Sequence, residues 1–583
     1  IFAERGSPAW YAGVRKSDSS LGYLWNAPSA QLGNYPDRYN LAGSSSYVTG
    51  THSIKFGFQD TFGPYRRYNS ANADLYQVYN TPASACTAAA CKLVPQSVTV
   101  LNTPLEVEEY IDANLGLYGQ DSWRLNHFTV NFGLRYDYVK QHVVGQKAQT
   151  GRFASSPAYG DIPFPVWKDF SPRTSVVYDV FGNGKTAVRA GFNKFMTAAT
   201  TGFAALYNPT GLATQTLSWT DLNGDDIAQG ERGCTFGAAG CEINFANLPS
   251  SFGVRSLARF DPDIQRPYQL AFNLGVSHEV LPGVAVTAEW FRSTFRQLIE
   301  RNNVALSLSD YTPVSIYNPV TGGTVTAYNL AASKASASDL LDSNDPDLRH
   351  RYDGIEINVS ARLPHGVRVF GGSSTERTLS NSCSAAKNNP NLLAFCDQWQ
   401  NNIPFETSFK LAGTYPLPWY GIAVSASLQA LAGASASSDP LPYGQFTAGT
   451  GWDPSGNAAG PNGRGTYLNV AQSTTWTATT CLDPSKCTVG QRIIPNLTQA
   501  GLTVPLIAPS TEYLPRLNQV DFAVNKSFSV GQMKFSPKLD VFNAFNSDAY
   551  TGITSTQFGA ATYFRPSTIL QGRIIRLGVD VKW

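Results

Sequence analysis

Oxygen-bearing side chains at alternate positions make Asp221-Leu222-Asn223-Gly224-Asp225-Asp226-Ile227, followed by Glu231, the best-spaced metal candidate in the chain. Calcium loops use that spacing because alternate side chains and one backbone carbonyl converge on a hard cation. The pattern departs from an EF-hand at two points: Asp226 stands where Gly belongs, and Arg232 where the bidentate Glu belongs. Calcium held by Asp221, Asn223, Asp225 and Glu231 is therefore one reading of the loop, and a solvated acidic turn is the other. No cofactor is otherwise required.

The eight cysteines fall into four close couples: Cys86 with Cys91, Cys234 with Cys241, Cys383 with Cys396, and Cys481 with Cys487. Pairing within each couple is the simplest assignment. Zinc is the alternative, but the spacings form no paired C-x2-C knuckles and no histidine stands beside them. Disulfides imply an oxidising compartment: periplasm, cell surface or medium.

No catalytic set emerges. There is no G-x-S-x-G elbow and no phosphate-binding Gly-Lys-Ser/Thr loop. Acidic neighbours such as Glu108 and Glu109 read as solvated strand ends, so the chain is expected not to be an enzyme. Its 44 basic and 42 acidic residues leave a formal charge of +2, which favours no nucleic-acid partner. Aromatic side chains in loop sequence, namely Tyr311, Tyr317, Tyr328, Trp399, Tyr443, Trp452 and Tyr467, could stack on a flat ligand or pack their own loops.

The elements that must position these residues are strands. Fifty Gly, 35 Pro and 12% aromatic residues with 15% charged favour strands, turns and long loops. From Phe128, one parity reads Phe128, Val130, Phe132, Leu134, Tyr136, Tyr138 and the other Thr129, Asn131, Gly133, Arg135, Asp137, an oily face and a wet face. Fifteen such segments lie near 38–48, 52–62, 107–123, 128–142, 168–180, 185–197, 264–280, 284–300, 350–363, 366–380, 403–415, 420–432, 515–528, 532–546 and 570–583. Most exceed the roughly 9–11 residues that a tilted strand needs to cross a bilayer.

Connections alternate between tight turns and long excursions. Turns fall at Gly50-Thr51, Leu125-Asn126, Phe181–Gly184, Pro282-Gly283, Pro364–Gly366, Pro416–Pro418 and Val530-Gly531, and every cysteine couple falls in a long excursion. Short turns on one rim and long loops on the other are the mark of a transmembrane barrel. A secreted β-sandwich also shows period two, but its strands are typically about 5–6 residues long. The fold expected is all-β: a transmembrane antiparallel β-barrel with long, disulfide-pinned extracellular loops. Inward polar residues such as Arg135, Asp137, Arg189, Lys538, Asp540, Arg576 and Asp580 would solvate the lumen or line a substrate path.

Tyr118-Gly119-Gln120-Asp121-Ser122-Trp123-Arg124, followed by Asn131-Phe132-Gly133-Leu134-Arg135-Tyr136-Asp137, resembles the YxQDxWR…NxGLRYD signature of TonB-dependent outer-membrane receptors. The resemblance is strongest to the Oar-like type, which carries an N-terminal carboxypeptidase-regulatory-like domain. Phe170-Ser171-Pro172-Arg173, Asp540-Val541-Phe542-Asn543-Ala544-Phe545-Asn546 and Gln571-Gly572-Arg573 extend it from about residue 40 to the end. It implies the C-terminal ~15 strands of a 22-stranded barrel, the size at which receptors carry a plugged lumen. Residues 1–37 would then be the N-terminal edge, with a partial strand near 8–16, and residues 38–583 the barrel. An unpaired first strand cannot stay exposed in lipid, so either the remaining strands are on another stretch of polypeptide or the sequence is truncated.

The same resemblance implies the outer membrane of a Gram-negative envelope with extracellular long loops. It further implies outer-membrane lipid as a partner and a TonB complex reached through a plug that this chain lacks. Trp583 ends an alternating strand, as in the signal read by the barrel-assembly machinery. The expected function is uptake of a scarce extracellular ligand: siderophore, cobalamin, glycan or peptide. A structural or adhesive surface barrel that binds a partner protein or matrix without transport is the alternative, and a passive porin has no need of such large loops.

Overall fold

Lipid on one side of a sheet and polar groups on the other impose strict alternation on every strand that crosses, and the structure is dominated by that rule. The computed structural model describes residues 3–26, 31–87, 90–255, 258–384, 389–433, 445–447, 451–453, 466–508 and 511–583. Tyr443 lies outside them, as does the side chain of Trp452.

The wall strands are β1 (Gln31–Pro36 continued by Tyr39–Thr49), β2 (His52–Ser70), β3 (Leu105–Leu125), β4 (Phe128–Val143) and β5 (Trp167–Asp179). They continue as β6 (Thr186–Met196), β7 (Tyr268–Leu281), β8 (Val284–Arg296), β9 (Arg349–Arg362) and β10 (Arg368–Asn381). The last five are β11 (Glu406–Pro416), β12 (Ile422–Leu431), β13 (Leu517–Lys526 continued by Phe528–Val530), β14 (Met533–Phe542) and β15 (Ile574–Lys582). Each pairs antiparallel with the next. These strands coincide with the fifteen segments read from the sequence.

The tight turns hold residues with positive φ, which lets the chain reverse within two to five residues: Gly50 at 53°, Asn126 at 49°, Gly283 at 82°, His365 at 61° and Gly531 at 62°. Gly283 is required twice over, because a Cβ there would meet the Arg362 carbonyl oxygen at 2.5 Å. One turn differs from expectation. Pro416 is still in β11, and the chain reverses over 417–421, where Tyr420 and Gly421 take positive φ.

The strands form one barrel-type sheet, but its ladders leave a seam. Among the described residues, Tyr39–Thr49 pairs only with β2 and Ile574–Lys582 only with β14. In an up-and-down meander of fifteen strands the first and last run the same way, so they cannot close the sheet antiparallel. The seam strand is accordingly open, with Leu577 80% exposed.

The N-terminal segment departs from expectation. The strand expected near 8–16 does not join the wall. Ser7 caps a short helix, Pro8–Ala12, by accepting from the Trp10 N–H, and Arg15–Asp18 pairs parallel with Leu75–Tyr79 in a separate sheet. Burial of Trp10 and Val14 drives this placement. That sheet runs in the order 214–218, 95–101, 75–79, 15–18, 23–25, so two long loops and the N-terminal segment build it together.

Candidate ligand-binding face and lumen

All four cysteine couples are bridged as the spacing suggested, with Cys86–Cys91, Cys234–Cys241, Cys383–Cys396 and Cys481–Cys487 each on the long-loop rim. Between these staples the described loops bury three large apolar cores of their own, besides a small one at Leu514 and Ile553. The first packs Trp10, Leu75, Tyr79, Phe153, Leu217 and Trp219 beneath the loop sheet. The second joins the hairpins 311–317/324–330 and 467–471/501–505 through Ile316, Leu468, Trp476, Ile494 and Val504. The third sets the helix Thr201–Leu206 on Val139, Val143, Trp167, Ile264 and Ile299, and so anchors the loops to β4 and β5.

Buried ions lock these cores together. Asp74 is fully buried and accepts from the Arg5 guanidinium, the Thr103 hydroxyl at 2.7 Å and the Arg152 N–H at 3.0 Å. Asp342, also fully buried, accepts from Arg301 Nε and Nη2, each at 2.8 Å, and from the Tyr207 hydroxyl at 2.6 Å. Burial and the Asp342 charge raise the Tyr207 hydroxyl far above the usual tyrosine range, so it stays a donor. Burial alone would raise Asp18; hydrogen bonds from the Thr81 hydroxyl and the Leu21 and Ser20 N–H groups outweigh it and hold the carboxyl below its usual range.

The acidic loop takes a shape that corrects one expected ligand. Glu231 turns away and pairs with Arg152 Nε at 2.9 Å. Its place is taken by Glu242, which the sequence reading missed: oxygens of Asp221, Asp225 and Glu242 lie within 4.8 Å of one another. The Cys234–Cys241 bridge folds the chain back so that Glu242, 1% exposed, accepts from the Leu222 N–H at 2.8 Å. Asn223 stays in the loop, donating to Asp225 at 3.0 Å. Asp226, at φ 61°, is held from below by Lys16 Nζ, by the Tyr79 hydroxyl at 2.5 Å and by Gln77 Nε2. Nothing local signals that clamp, since Lys16 is 210 residues away.

The aromatic candidates do not converge on one surface. Tyr317 and Tyr467 are buried, the former facing Trp476 across 6.1 Å, so they pack the loop layer. Trp399 is exposed beside the Arg351 guanidinium at 5.4 Å. Trp452 lies in the short strand Gly451–Asp453. Tyr328 is half-buried, and its backbone exchanges hydrogen bonds with the Asn391 amide. Tyr311 alone lines a cleft of about 520 Å³, together with Asn389, Asn391, Asn469, Gln499 and Thr503. Amide and hydroxyl groups around one ring suit a polar ligand that both donates and accepts.

Inside the barrel, polar side chains neutralise one another in pairs. Arg135 meets Asp137 at 2.8 Å, Arg576 meets Asp540 at 2.7 Å, Lys538 meets Asp580 at 3.2 Å, and Arg189 meets Glu289. On the opposite parity Phe132, Phe170, Leu274 and Ile355 stay about half exposed, as lipid-facing side chains must when no lipid covers them. Between its two rims the outer face is an apolar wall, and the inner face a wet one.

A fold of this kind defines a membrane-spanning barrel. Residues 6–576 match the family described as Outer membrane beta barrel domain, and the chain belongs to that family. It resides in the outer membrane. Among solved structures it is similar to the outer membrane transporter YddB from Escherichia coli, at 12% identity and TM-score 0.46, over 97% of this chain and 57% of that one. It is similar also to the ferric-catecholate import receptor Fiu from E. coli, at 13% identity and TM-score 0.43, over 93% and 54%. A third is the pyoverdine outer membrane receptor FpvA from Pseudomonas aeruginosa, at 11% identity and TM-score 0.44, over 93% and 52%. The chain spans a little over half the length of each. No curated protein matches it.

Proposed function

We propose that this chain is the wall and loop layer of a TonB-dependent receptor of the Oar-like type, which captures a scarce ligand outside the cell and passes it through a plug-gated lumen. The observation that carries this reading is the loop layer. A porin needs an open mouth, whereas here four disulfides and three buried cores build a rigid layer with an amide-lined cleft at Tyr311. Rigid loops present binding groups at low entropic cost. The motif at Tyr118–Arg124 and Asn131–Asp137 supports the subtype.

In this reading the plug, its TonB contact and the remaining strands are carried on polypeptide outside these 583 residues, and the assembly machinery inserts the barrel into outer-membrane lipid. The barrel performs no bond chemistry. Cells making the full-length protein would be given labelled ferric siderophore, cobalamin, oligosaccharide or peptide. Uptake of one of them, abolished by a proton uncoupler, is the expected result. Surface retention without internalisation would overturn transport and favour the adhesive barrel. Calcium remains part of the proposal, with Asp221, Asn223, Asp225 and now Glu242 as donors. Calorimetric titration should show saturable calcium binding that Asp225→Asn weakens, and absence of binding removes the ion from the account.

A further inference from the structure

Cations on the outer face of β6 to β10 are gathered at one height. The register aligns Lys194, Leu270, Thr294 and Arg351 in one row across β6, β7, β8 and β9. The row nearer the turns runs Phe192, Phe272, Arg292, Asp353, Arg377, and the row nearer the loops contains Met196, Tyr268 and Arg296. These positions share the parity of Leu274 and Ile355, which are exposed on the lipid side. With Arg349, which starts β9 on the same parity, the described residues of the patch hold six cations and a single carboxylate, Asp353, which pairs with both Arg292 at 2.6 Å and Arg351 at 2.8 Å.

Height decides what such a patch can meet. Counting from the tight-turn end of each strand, Lys194 is the ninth residue from Thr186, Arg292 the ninth from Val284, Arg377 the tenth from Arg368 and Arg351 the twelfth from Arg362. A tilted strand crosses the hydrocarbon in about 9–11 residues, so all four emerge at the far interface, under the long loops. Each lies against a ring: Lys194 on Tyr268 at 4.3 Å, Arg292 on Trp290 at 5.1 Å, Arg351 on Trp399 at 5.4 Å and Arg377 on Phe405 at 4.2 Å. Aromatic rings settle at the headgroup level and hold cations by their π-faces.

The other side of the same rim is different. On β1 to β3, Arg66 pairs with Asp37 at 2.5 Å, and Glu106 and Glu108 face away from the buried Val107 and Glu109. That side is net acidic. A general need for a wet rim would not segregate the signs in this way.

We propose that the β6–β10 patch binds the phosphates of a phosphorylated lipid in the outer leaflet. Guanidinium forks match phosphate oxygens in pairs, and the net positive charge complements a headgroup bearing more than one phosphate. The full-length protein in detergent would be titrated with bis-phosphorylated lipid A, phosphatidylcholine and inorganic phosphate, and retained lipid read by native mass spectrometry. Wild type should retain lipid A selectively. Lys194→Gln combined with Arg296→Gln, which spares the Asp353 pairs, should weaken retention about tenfold, while the lumen variant Arg173→Gln should not. Circular dichroism confirms that each variant is folded. Unchanged retention in the double variant, an equal loss in Arg173→Gln, or displacement of lipid A by equimolar inorganic phosphate would each overturn the proposal.

Discussion

The wall and the loop layer solve the same problem, hiding backbone and apolar surface, by opposite routes. Every wall ladder joins strands that are neighbours in sequence, and most of its large apolar side chains face outward towards lipid. The loop layer is held by partners far apart in the chain: Arg5 with Asp74, Lys16 with Asp226, Tyr207 with Asp342. Its apolar residues face inward, as in a water-soluble protein. The lesson is that the wall owes its order to the solvent on each face, and the loop layer to a few buried charges and staples. Damage to the second should therefore spare the first.

The largest test of that separation is Asp74→Asn. Removing a buried charge that serves Arg5, Thr103 and Arg152 should cost the loop layer about 3 kcal/mol. Hydrogen exchange should accelerate at 75–79 and 95–101 and stay unchanged in β7 and β8. Replacing Cys234 and Cys241 by Ser should cost about 2 kcal/mol, the entropy of a short closed loop, and release Glu242 from Asp221 and Asp225, read as faster proteolysis between 221 and 242. Tyr79→Phe removes the donor to Asp226 and should cost about 1–2 kcal/mol, measured as a lower denaturant midpoint for the loop layer.

Asp18 supplies a pH test. Its folded carboxyl sits below the usual range, so its stabilisation is present above the unfolded value of about 3.9 and is lost as pH falls through the lower folded value. The loop layer of Asp18→Asn should lose less stability on acidification than wild type. The smallest effect is expected in the wall, where Lys538→Gln breaks a solvent-exposed pair with Asp580 and should change stability by less than about 1 kcal/mol.

These differences also explain what the sequence could disclose. Phe128 to Tyr138 alternate because lipid and lumen demand it locally, so the wall strands, their turns and the bridged couples were legible. Glu242 was not, because the disulfide that returns it to Asp221 acts through the fold rather than through a ligand spacing. Trp10 and Arg15–Asp18 were misplaced for the same reason, since their partners at 75–79 lie some sixty residues on. Of the aromatic candidates, Tyr317 and Tyr467 carried no signal separating a stacking ring from a core ring, and burial decided it.

The barrel wall spans the outer membrane and holds its loop layer outside the cell. The most direct measurement is cysteine labelling in intact cells with a membrane-impermeant maleimide, using Ser338→Cys in a long loop and Asn183→Cys in a tight turn. Both positions are exposed, and the eight native cysteines are all bridged. Labelling at 338 in intact cells, and at 183 only after the outer membrane is opened, is the predicted result; labelling at 183 in intact cells would contradict it.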